Sequence, residues 1–116
     1  MAMHLSRTAT ARVLLHGDFC DKNLLLHGNA YRACDPIPSI GDPSSDVGFF
    51  AAGHRPVPGI LGRAAAIARE LGLDPHRCRR WAAIWTVHQA TQAWRDDQHE
   101  LDALCSSPEL QEMLTP

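Results

Sequence analysis

Apolar residues form short runs in the first third of the chain. Residues 12–16 and 24–27 are two such runs, rich in Val and Leu, and the segment 31–34 follows the second run after the pair Gly28-Asn29. Gly and Asn tolerate the positive φ angles of a two-residue hairpin turn. We therefore predict a buried strand over 12–16 and a β-hairpin with strands over 24–27 and 31–34.

The rest of the chain has the pattern of helices. The segment 36–46 is predicted as a loop because Pro, Ser, Gly and Asp dominate it. After it, apolar positions recur every three to four residues, which is the period of amphipathic helices. Gly72 is a stop signal, and Asp74-Pro75 supplies an N-cap and a first helical residue. The predicted helices span 47–52, 60–71, Pro75 to about Trp94, and 109–114.

The longest of these helices is predicted to be the centre of the core. One of its faces carries Trp81, Ile84, Trp85, His88 and Thr91. On that face we expect His88 to be a core histidine rather than a ligand, and the tryptophans to be core residues rather than a platform for stacking sugars. The preceding helix presents a matching apolar face, formed by Ile60, Leu61, Ala64, Ile67, Ala68 and Leu71.

Composition indicates a globular protein. The chain has 116 residues, 45% apolar and 21% charged, which suits one domain with a modest core. The net charge of −2 gives no reason to expect nucleic acid or an anionic membrane as a partner. The sequence has neither a signal-peptide pattern nor a membrane-spanning run, so we expect a cytoplasmic protein with reduced thiols. His16 with Cys20, or His76 with Cys78, fits no standard zinc spacing, and free cysteines are expected.

Charge is unevenly distributed along the chain. Residues 54–80 contain six arginines and two carboxylates, whereas residues 95–116 contain six carboxylates and one arginine. The acidic stretch suits a cationic ligand, although a solvated helix face explains the same pattern.

The strongest candidate for chemistry is the segment 16–23, His-Gly-Asp-Phe-Cys-Asp-Lys-Asn, hereafter the candidate loop. Phosphoryl transfer requires a carboxylate that orients the attacking hydroxyl and accepts its proton, and oxygen ligands that hold Mg²⁺ on the nucleotide phosphates. Asp18 fits the first role, and Asn23 fits the second. Because the predicted hairpin returns the chain to Asn23, we expect Asp35 to arrive beside it as a second metal ligand.

These motifs resemble the aminoglycoside/hydroxyurea phosphotransferase family, which includes streptomycin kinases and has a protein-kinase-like fold. The resemblance rests on an HGDxxxxN motif at 16–23 and on a DPxPxxGDPxxD-like segment at 35–46. The stretch 63–94 is similar to the helical end of the family.

The resemblance implies an α+β, mainly α fold, with a catalytic-loop β-hairpin followed by a helical C-lobe. The whole chain, 1–116, would be a single partial kinase-like C-lobe. Residues 12–35 would form the catalytic loop and metal-binding hairpin, and residues 44–116 the helical part.

The resemblance also implies roles for individual residues. Asp18 would be the catalytic base, and Asn23 and Asp35 would bind Mg²⁺ for transfer of phosphate from ATP to a hydroxyl group of a cationic, aminoglycoside-like substrate. Weaker candidates for holding that substrate lie in the acidic stretch: Asp96, Asp97 and Glu100.

Three further residues are assigned supporting roles. His16, two residues before the base, would pack beneath the loop and hold its backbone. Asp42 and Asp46 correspond to the acidic pair of the GDPxxD segment, and we expect them to cap the following helix and to bond the catalytic loop.

The chain also departs from the family pattern. Cys20 stands where relatives often carry His, and Lys22, the one lysine of the chain, lies inside the candidate loop. The 116 residues contain no glycine-rich phosphate loop of the kind that the family's N-lobe supplies. We therefore expect the chain to be inactive by itself.

Three functions stay open at this point. The chain belongs to an ATP-dependent small-molecule kinase, or it is a truncated non-catalytic remnant that acts as a helical interaction domain. In the third, it is one subunit of a split kinase whose partner supplies the N-lobe. Apolar surface left exposed by a missing lobe would favour self-association.

Overall fold

Short antiparallel strand pairs and five helices make up the part of the chain that the computed structural model describes, which is residues 1–53, 59–96, 99, 102 and 106–114. The fold is α+β and mainly helical. The helices are α1 (Ala2–Arg7), α2 (Pro43–Gly53), α3 (Ile60–Leu71), α4 (Pro75–Asp96) and α5 (Pro108–Leu114). The strands are β1 (Val13–Leu15), β2 (Leu24–His27), β3 (Ala30–Ala33) and β4 (Ser39–Gly41).

The predicted β-hairpin is present. Strands β2 and β3 are antiparallel, with Leu24 opposite Ala33 and His27 opposite Ala30. Gly28 lies in the connecting turn with φ of +65°, a backbone conformation that glycine adopts without steric cost. Gly28 therefore supplies the positive φ of this turn, and Asn29 does not adopt it.

The first strand differs from its prediction. Of β1 only Leu15 is buried, whereas Leu14 is 72% exposed. The reason is that, within the described part of the chain, β1 pairs only with β4 in a two-stranded sheet, and Leu14 lies on its open side. The prediction of a buried strand over 12–16 is wrong for most of its residues.

The segment 36–46 is more ordered than a loop. It contains β4, in which Ile40 lies opposite Leu14, and α2 already begins at Pro43. Proline at the first helical position fits the helix geometry, because its missing N–H would have no helical partner there.

The N-terminal helix α1 was not predicted. Its Leu5 is 2% exposed, and the guanidinium of Arg77 on α4 donates to the Leu5 carbonyl and to the Thr8 hydroxyl. A single buried leucine and one arginine thus dock α1 on α4.

Helix α4 is the centre of the helical half, and α1, α2, α3 and α5 all contact it. Small residues dominate the interface, with Ala82 and Ala83 of α4 fully buried. The core cluster is formed by Val47, Ala51, Ile60, Leu61, Ala64, Ala68, Cys78, Ala82 and Ala83. Since alanine and glycine keep backbones close together, these helices pack at short range.

The buried face of α4 is rotated from the predicted one. Trp81 and Thr86 are buried, but His88 and Thr91 are exposed, so the prediction that His88 is a core histidine is wrong. On α3, Leu71 at the last turn is likewise exposed. The alanines carry the contact with the neighbouring helices, and the bulkier residues lie at its margins.

The predicted ends of α3 and α4 are confirmed. Gly72 adopts φ of +67° and donates to the Arg69 carbonyl, closing α3. The Asp74 carboxylate accepts from the His76 N–H at 2.9 Å and caps α4.

None of the helices in the described part of the chain combines the length and apolarity that crossing a membrane requires. The cysteines Cys20, Cys34 and Cys78 are free, as expected, and Cys105 lies outside the described residues.

Candidate functional site

The candidate loop joins β1 to β2 through a short 3₁₀ turn at Asp21–Asn23. Gly17 has φ of +82°, and a Cβ atom built there would lie 1.8 Å from the Ile37 carbonyl oxygen. The same approach allows the Ile37 N–H to donate to the His16 carbonyl at 2.8 Å. Only glycine fits this crossing, and the crossing fixes the start of the loop.

The Asp46 carboxylate binds the loop from the side of α2. One oxygen accepts from the His16 N–H at 2.7 Å, and the other accepts from the Gly17 N–H at 3.1 Å. Charge-assisted bonds of this kind are about twice as strong as neutral ones. Asp46 therefore holds the backbone directly before Asp18.

The His16 ring holds the loop from within. Its Nε2 lies 2.9 Å from the Cys34 carbonyl, and its Nδ1 lies 3.3 Å from the Asp18 N–H. Because a carbonyl only accepts and an amide N–H only donates, the ring is assigned as the neutral tautomer with its proton on Nε2. His16 thereby connects the loop to the end of β3.

Asp18 and Asn23 are in direct contact, as their spacing predicts. The Asn23 amide nitrogen donates to the Asp18 carbonyl at 2.8 Å and to its Oδ2 at 2.9 Å. Both partners are acceptors, so they fix which end of the Asn23 amide is nitrogen. The Asn23 side-chain oxygen must then face away from Asp18, and the residue as a whole is 5% exposed.

Lys22 completes this contact. Its ammonium group lies 3.4 Å from the same Asp18 Oδ2, and its side chain is 69% exposed. The hydrogen bond from Asn23 lowers the pKa of Asp18 most strongly, and it outweighs desolvation with help from Lys22. Asp18 in turn raises the pKa of Lys22. The carboxylate is therefore ionised at neutral pH. Its Oδ1 is the oxygen that Asn23 and Lys22 do not contact, and the Cys20 thiol donates to it at 3.9 Å.

Asp35 lies at the end of β3, where the hairpin returns to the loop. The neighbouring Cys34 N–H donates to the Asn23 carbonyl at 2.9 Å, so the chain at Asp35 runs beside Asn23. Asp35 is exposed and has φ of +55°, which aspartate tolerates better than most residues.

The oxygens of Asn23 and Asp35 suit Mg²⁺ by their chemistry. Magnesium prefers hard oxygen ligands and is usually held by one or two protein side chains together with substrate phosphates. A group of three or more His, Cys, Asp or Glu side chains that could hold a metal without such help is not found among the described residues. Asn23 and Asp35 are oxygen donors of the kind that magnesium prefers.

Asp42 has a different role from Asp46. Its carboxylate is buried and accepts from Ser44 N–H at 3.0 Å, Arg77 Nε at 2.6 Å and Trp81 Nε1 at 2.8 Å. Burial raises its pKa, but the bonds from Trp81, Ser44 and Arg77 together lower it below the ordinary value. Asp42 thus caps α2 and ties it to α4, and of these two carboxylates it is Asp46 that bonds the candidate loop.

Phe19 was not singled out from the sequence, yet it anchors the loop. Its ring lies 5.2 Å from Phe50 of α2 and 5.7 Å from His16. Beside these rings is a mainly apolar cavity of about 340 Å³ that Leu14 and Val47 also line. An aromatic residue inside a polar loop is the signal that could have indicated this anchor.

The structure does not relate the acidic candidates for substrate binding to the candidate loop. Asp96 is the last residue of α4, and Asp97 and Glu100 lie outside the described residues.

Comparison of the chain with protein-family models, curated proteins and solved structures found no match.

Proposed function

We propose that this chain supplies the catalytic side of a phosphotransferase that moves the γ-phosphate of ATP to a hydroxyl group of a small cationic, aminoglycoside-like substrate in the cytoplasm. The fold would then be the C-lobe part of a protein-kinase-like fold. The residues that grip the nucleotide would come from outside these 116 residues, as a further segment or as a separate chain.

The contact between Asp18 and Asn23 carries this proposal. The Asn23 amide and Lys22 engage Oδ2 of Asp18, whereas Oδ1 has only a long contact of 3.9 Å from the Cys20 thiol among the described residues. A thiol is a weak donor, so a substrate hydroxyl could displace it from Oδ1. A carboxylate with a lowered pKa is a weak base, and its main contribution is to orient the hydroxyl and to take its proton late in the transfer. Contacts of Asp46, His16 and Phe19 hold the loop and thereby position the Asp18 carboxylate.

Asn23 and Asp35 would hold Mg²⁺, which neutralises charge on the nucleotide phosphates when it is bound. Lys22 is close enough to Asp18 to add a further positive charge on the side of the incoming phosphate. Because the Lys22 side chain is exposed and flexible, it can leave Asp18 for a phosphate oxygen at little cost.

The apolar surface of the strands favours a second function. The chain would then be a subunit that depends on a partner, or a non-catalytic interaction domain. Both sheets are two-stranded, and isolated two-stranded sheets are marginal in water. Large apolar side chains remain exposed on or beside these strands, at Leu14, Leu25, Leu26, Tyr31, Ile37 and Ile40. A surface of this kind suits a covering lobe or self-association.

Nucleotide binding by the purified chain is the first test. We expect isothermal titration calorimetry to show weak ATP binding, because these 116 residues would supply only the metal ligands. The binding should depend on Mg²⁺ and should be weakened further by Asp35→Asn, which removes one charged ligand oxygen. Asn tolerates the left-handed backbone at this position, so the fold should persist. Asp21→Asn is the matched control, because Asp21 is an exposed carboxylate of the same loop that bonds only the Lys22 N–H.

Two results would contradict the nucleotide site. One is the absence of any Mg²⁺-dependent ATP binding, and the other is an equal loss of affinity in Asp35→Asn and Asp21→Asn.

Transfer itself separates the remaining possibilities. Phosphate transfer from labelled ATP to streptomycin is measured with the chain alone and with the nucleotide-binding lobe of a streptomycin kinase added as a separate polypeptide. A split enzyme gives transfer only after the addition, and Asp18→Asn lowers that rate by about 10²- to 10⁴-fold. A non-catalytic remnant gives no transfer in either case and elutes as an oligomer in size-exclusion chromatography.

A further inference from the structure

A second cavity lies on the helical half, away from the candidate loop, where α3 and α5 meet the first turns of α4. Its volume is about 400 Å³, which is in the range of small-molecule sites. Cationic and polar walls come from Arg69, His76 and Arg79, and Glu112 of α5 also lines it. Leu61 and Ala65 of α3 add an apolar part to the wall.

The arginines of this cavity differ from Arg77, which lies between them in the same basic segment. Arg77 is neutralised by the buried Asp42 carboxylate at 2.6 Å. Among the described residues, no hydrogen bond or ion pair engages the guanidinium of Arg69 or Arg79, although Glu112 lines the same cavity. Two unpaired guanidinium groups on different helices thus share one concave space.

We propose that this cavity binds the phosphate group of a small, hydroxylated phosphate monoester. A guanidinium offers two parallel N–H donors that match phosphate oxygens, and two of them together match a dianion. His76 adds a ring N–H donor, whereas the Glu112 carboxylate can accept from a hydroxyl group of the same ligand. This site is independent of phosphoryl transfer at Asp18, because the two sites share no residue.

The test is a titration of the full chain, followed by ¹H–¹⁵N correlation NMR at constant ionic strength. The probes are glycerol 3-phosphate, inorganic phosphate and acetate. We expect saturable shifts centred on residues 61–79 for the two phosphates, with acetate at least about tenfold weaker because it carries one charge and two oxygens. The candidate loop should show no saturable shift.

Variants identify the arginines. Arg69→Gln combined with Arg79→Gln should weaken glycerol 3-phosphate at least about tenfold. Arg80→Gln is the matched control, because Arg80 is an exposed neighbour on α4 that does not line the cavity. Neither cavity arginine has a partner in the described fold, so the double variant should keep its far-ultraviolet circular dichroism.

Three outcomes would overturn the site. They are shifts that do not saturate or spread over the whole chain, equal affinity for acetate and the phosphates, and equal loss of affinity in Arg80→Gln and the double variant. The wild-type shift map decides the question even if the double variant does not fold.

Discussion

At Gly17 the backbone passes with φ of +82° so close to the Ile37 carbonyl that a side chain has no room. The residue lies directly before Asp18, and its N–H is held by Asp46. Any shift that relieves a clash at Gly17 must therefore move the proposed base or break the bond to Asp46. Loop geometry and candidate chemistry depend on the same residue.

Gly17→Ala should consequently be far more damaging than the same change at Gly28. Both positions have positive φ, which costs a non-glycine residue about 1–2 kcal/mol. A Cβ at Gly28 meets nothing within 4 Å, whereas at Gly17 it meets backbone. We expect urea unfolding to show a loss of at least about 3 kcal/mol for Gly17→Ala and about 1 kcal/mol for Gly28→Ala. Equal losses would contradict the close crossing at Ile37.

At the scale of residues, the sequence predicted which groups meet but not how each is held. The five-residue spacing indicated that Asp18 and Asn23 converge, and they do. The pairing of Lys22 with Asp18 and the ring contact of Phe19 with Phe50 were not predicted. Such contacts depend on side-chain rotamers and on residues that are distant along the chain. The local pattern of residue types contains no information on either.

At the scale of elements, Gly48 sets the distance between α2 and α4. A Cβ built at Gly48 would lie 2.6 Å from the Ala82 nitrogen and 2.6 Å from the Trp81 carbonyl carbon. These are backbone atoms of α4, which cannot move aside as a flexible side chain could. The close approach brings Trp81 and Arg77 of α4 within bonding distance of Asp42.

Gly48→Ala tests this packing. Overpacking of a filled interface costs about 1–3 kcal/mol, which exceeds the gain of about 0.5–1 kcal/mol that alanine brings to a helix interior. Thermal unfolding should therefore show a lower Tm for Gly48→Ala. Gly62→Ala in α3, where a Cβ meets nothing within 4 Å, should raise the Tm instead. A raised Tm for both variants would contradict the close approach of the two helices.

Elements with strong local signals were predicted, and those that depend on distant partners were missed. Gly28 and the pair Asp74-Pro75 carry their own turn and cap chemistry. Strand β4 was missed because the Pro and Ser residues around it indicate a loop. Its strand structure comes from pairing with β1. The buried face of α4 was predicted wrongly because the prediction relied on large residues such as Trp85. In the structure, alanines of α4 make the contact with the neighbouring helices.

At the scale of the whole molecule, Asp42 joins parts that are distant along the chain. It caps α2 and binds Trp81 and Arg77 of α4, and Arg77 continues to the carbonyl of Leu5 in α1. Removing one partner of a buried charge pair costs about 3–5 kcal/mol, because the other charge stays buried and unpaired. The loss of this one carboxylate should therefore loosen α1, α2 and α4 together.

The acid dependence of stability should reveal Asp42. Its pKa in the folded state lies below the ordinary value of 3.8, so the unfolded state binds more protons in this range. The stabilisation is fully present above about pH 4 and is lost as the pH falls through the folded pKa. Asp42→Asn should lower the free energy of unfolding by about 3 kcal/mol at neutral pH, and the difference from wild type should shrink in acid. Asp18, whose pKa is also lowered, leaves a residual acid dependence in the variant.

Urea unfolding of wild type and Asp42→Asn across this pH range is the measurement. A difference between the two proteins that stays constant from neutral to acid pH would contradict the role of the ionised carboxylate.

The two halves of the molecule differ in how complete their packing is. The helical half has a continuous core around Ala82, whereas the strands expose Leu26, Tyr31 and other large apolar side chains. The candidate loop lies at the border, held by α2 on one side through Asp46. This arrangement is compatible with the proposed phosphotransferase, in which a nucleotide-binding part would complete the site.

Replacement of Mg²⁺ by paramagnetic Mn²⁺ tests most directly whether Asn23 and Asp35 form a nucleotide-metal site. In ¹H–¹⁵N correlation spectra recorded with ATP, Mn²⁺ should broaden the amide signals of residues 18, 23 and 35 first. Asp35→Asn should abolish this selectivity, and Asp21→Asn should preserve it. Uniform broadening over the surface would contradict a nucleotide-metal site at Asn23 and Asp35. So would a loss of selective broadening in Asp21→Asn but not in Asp35→Asn.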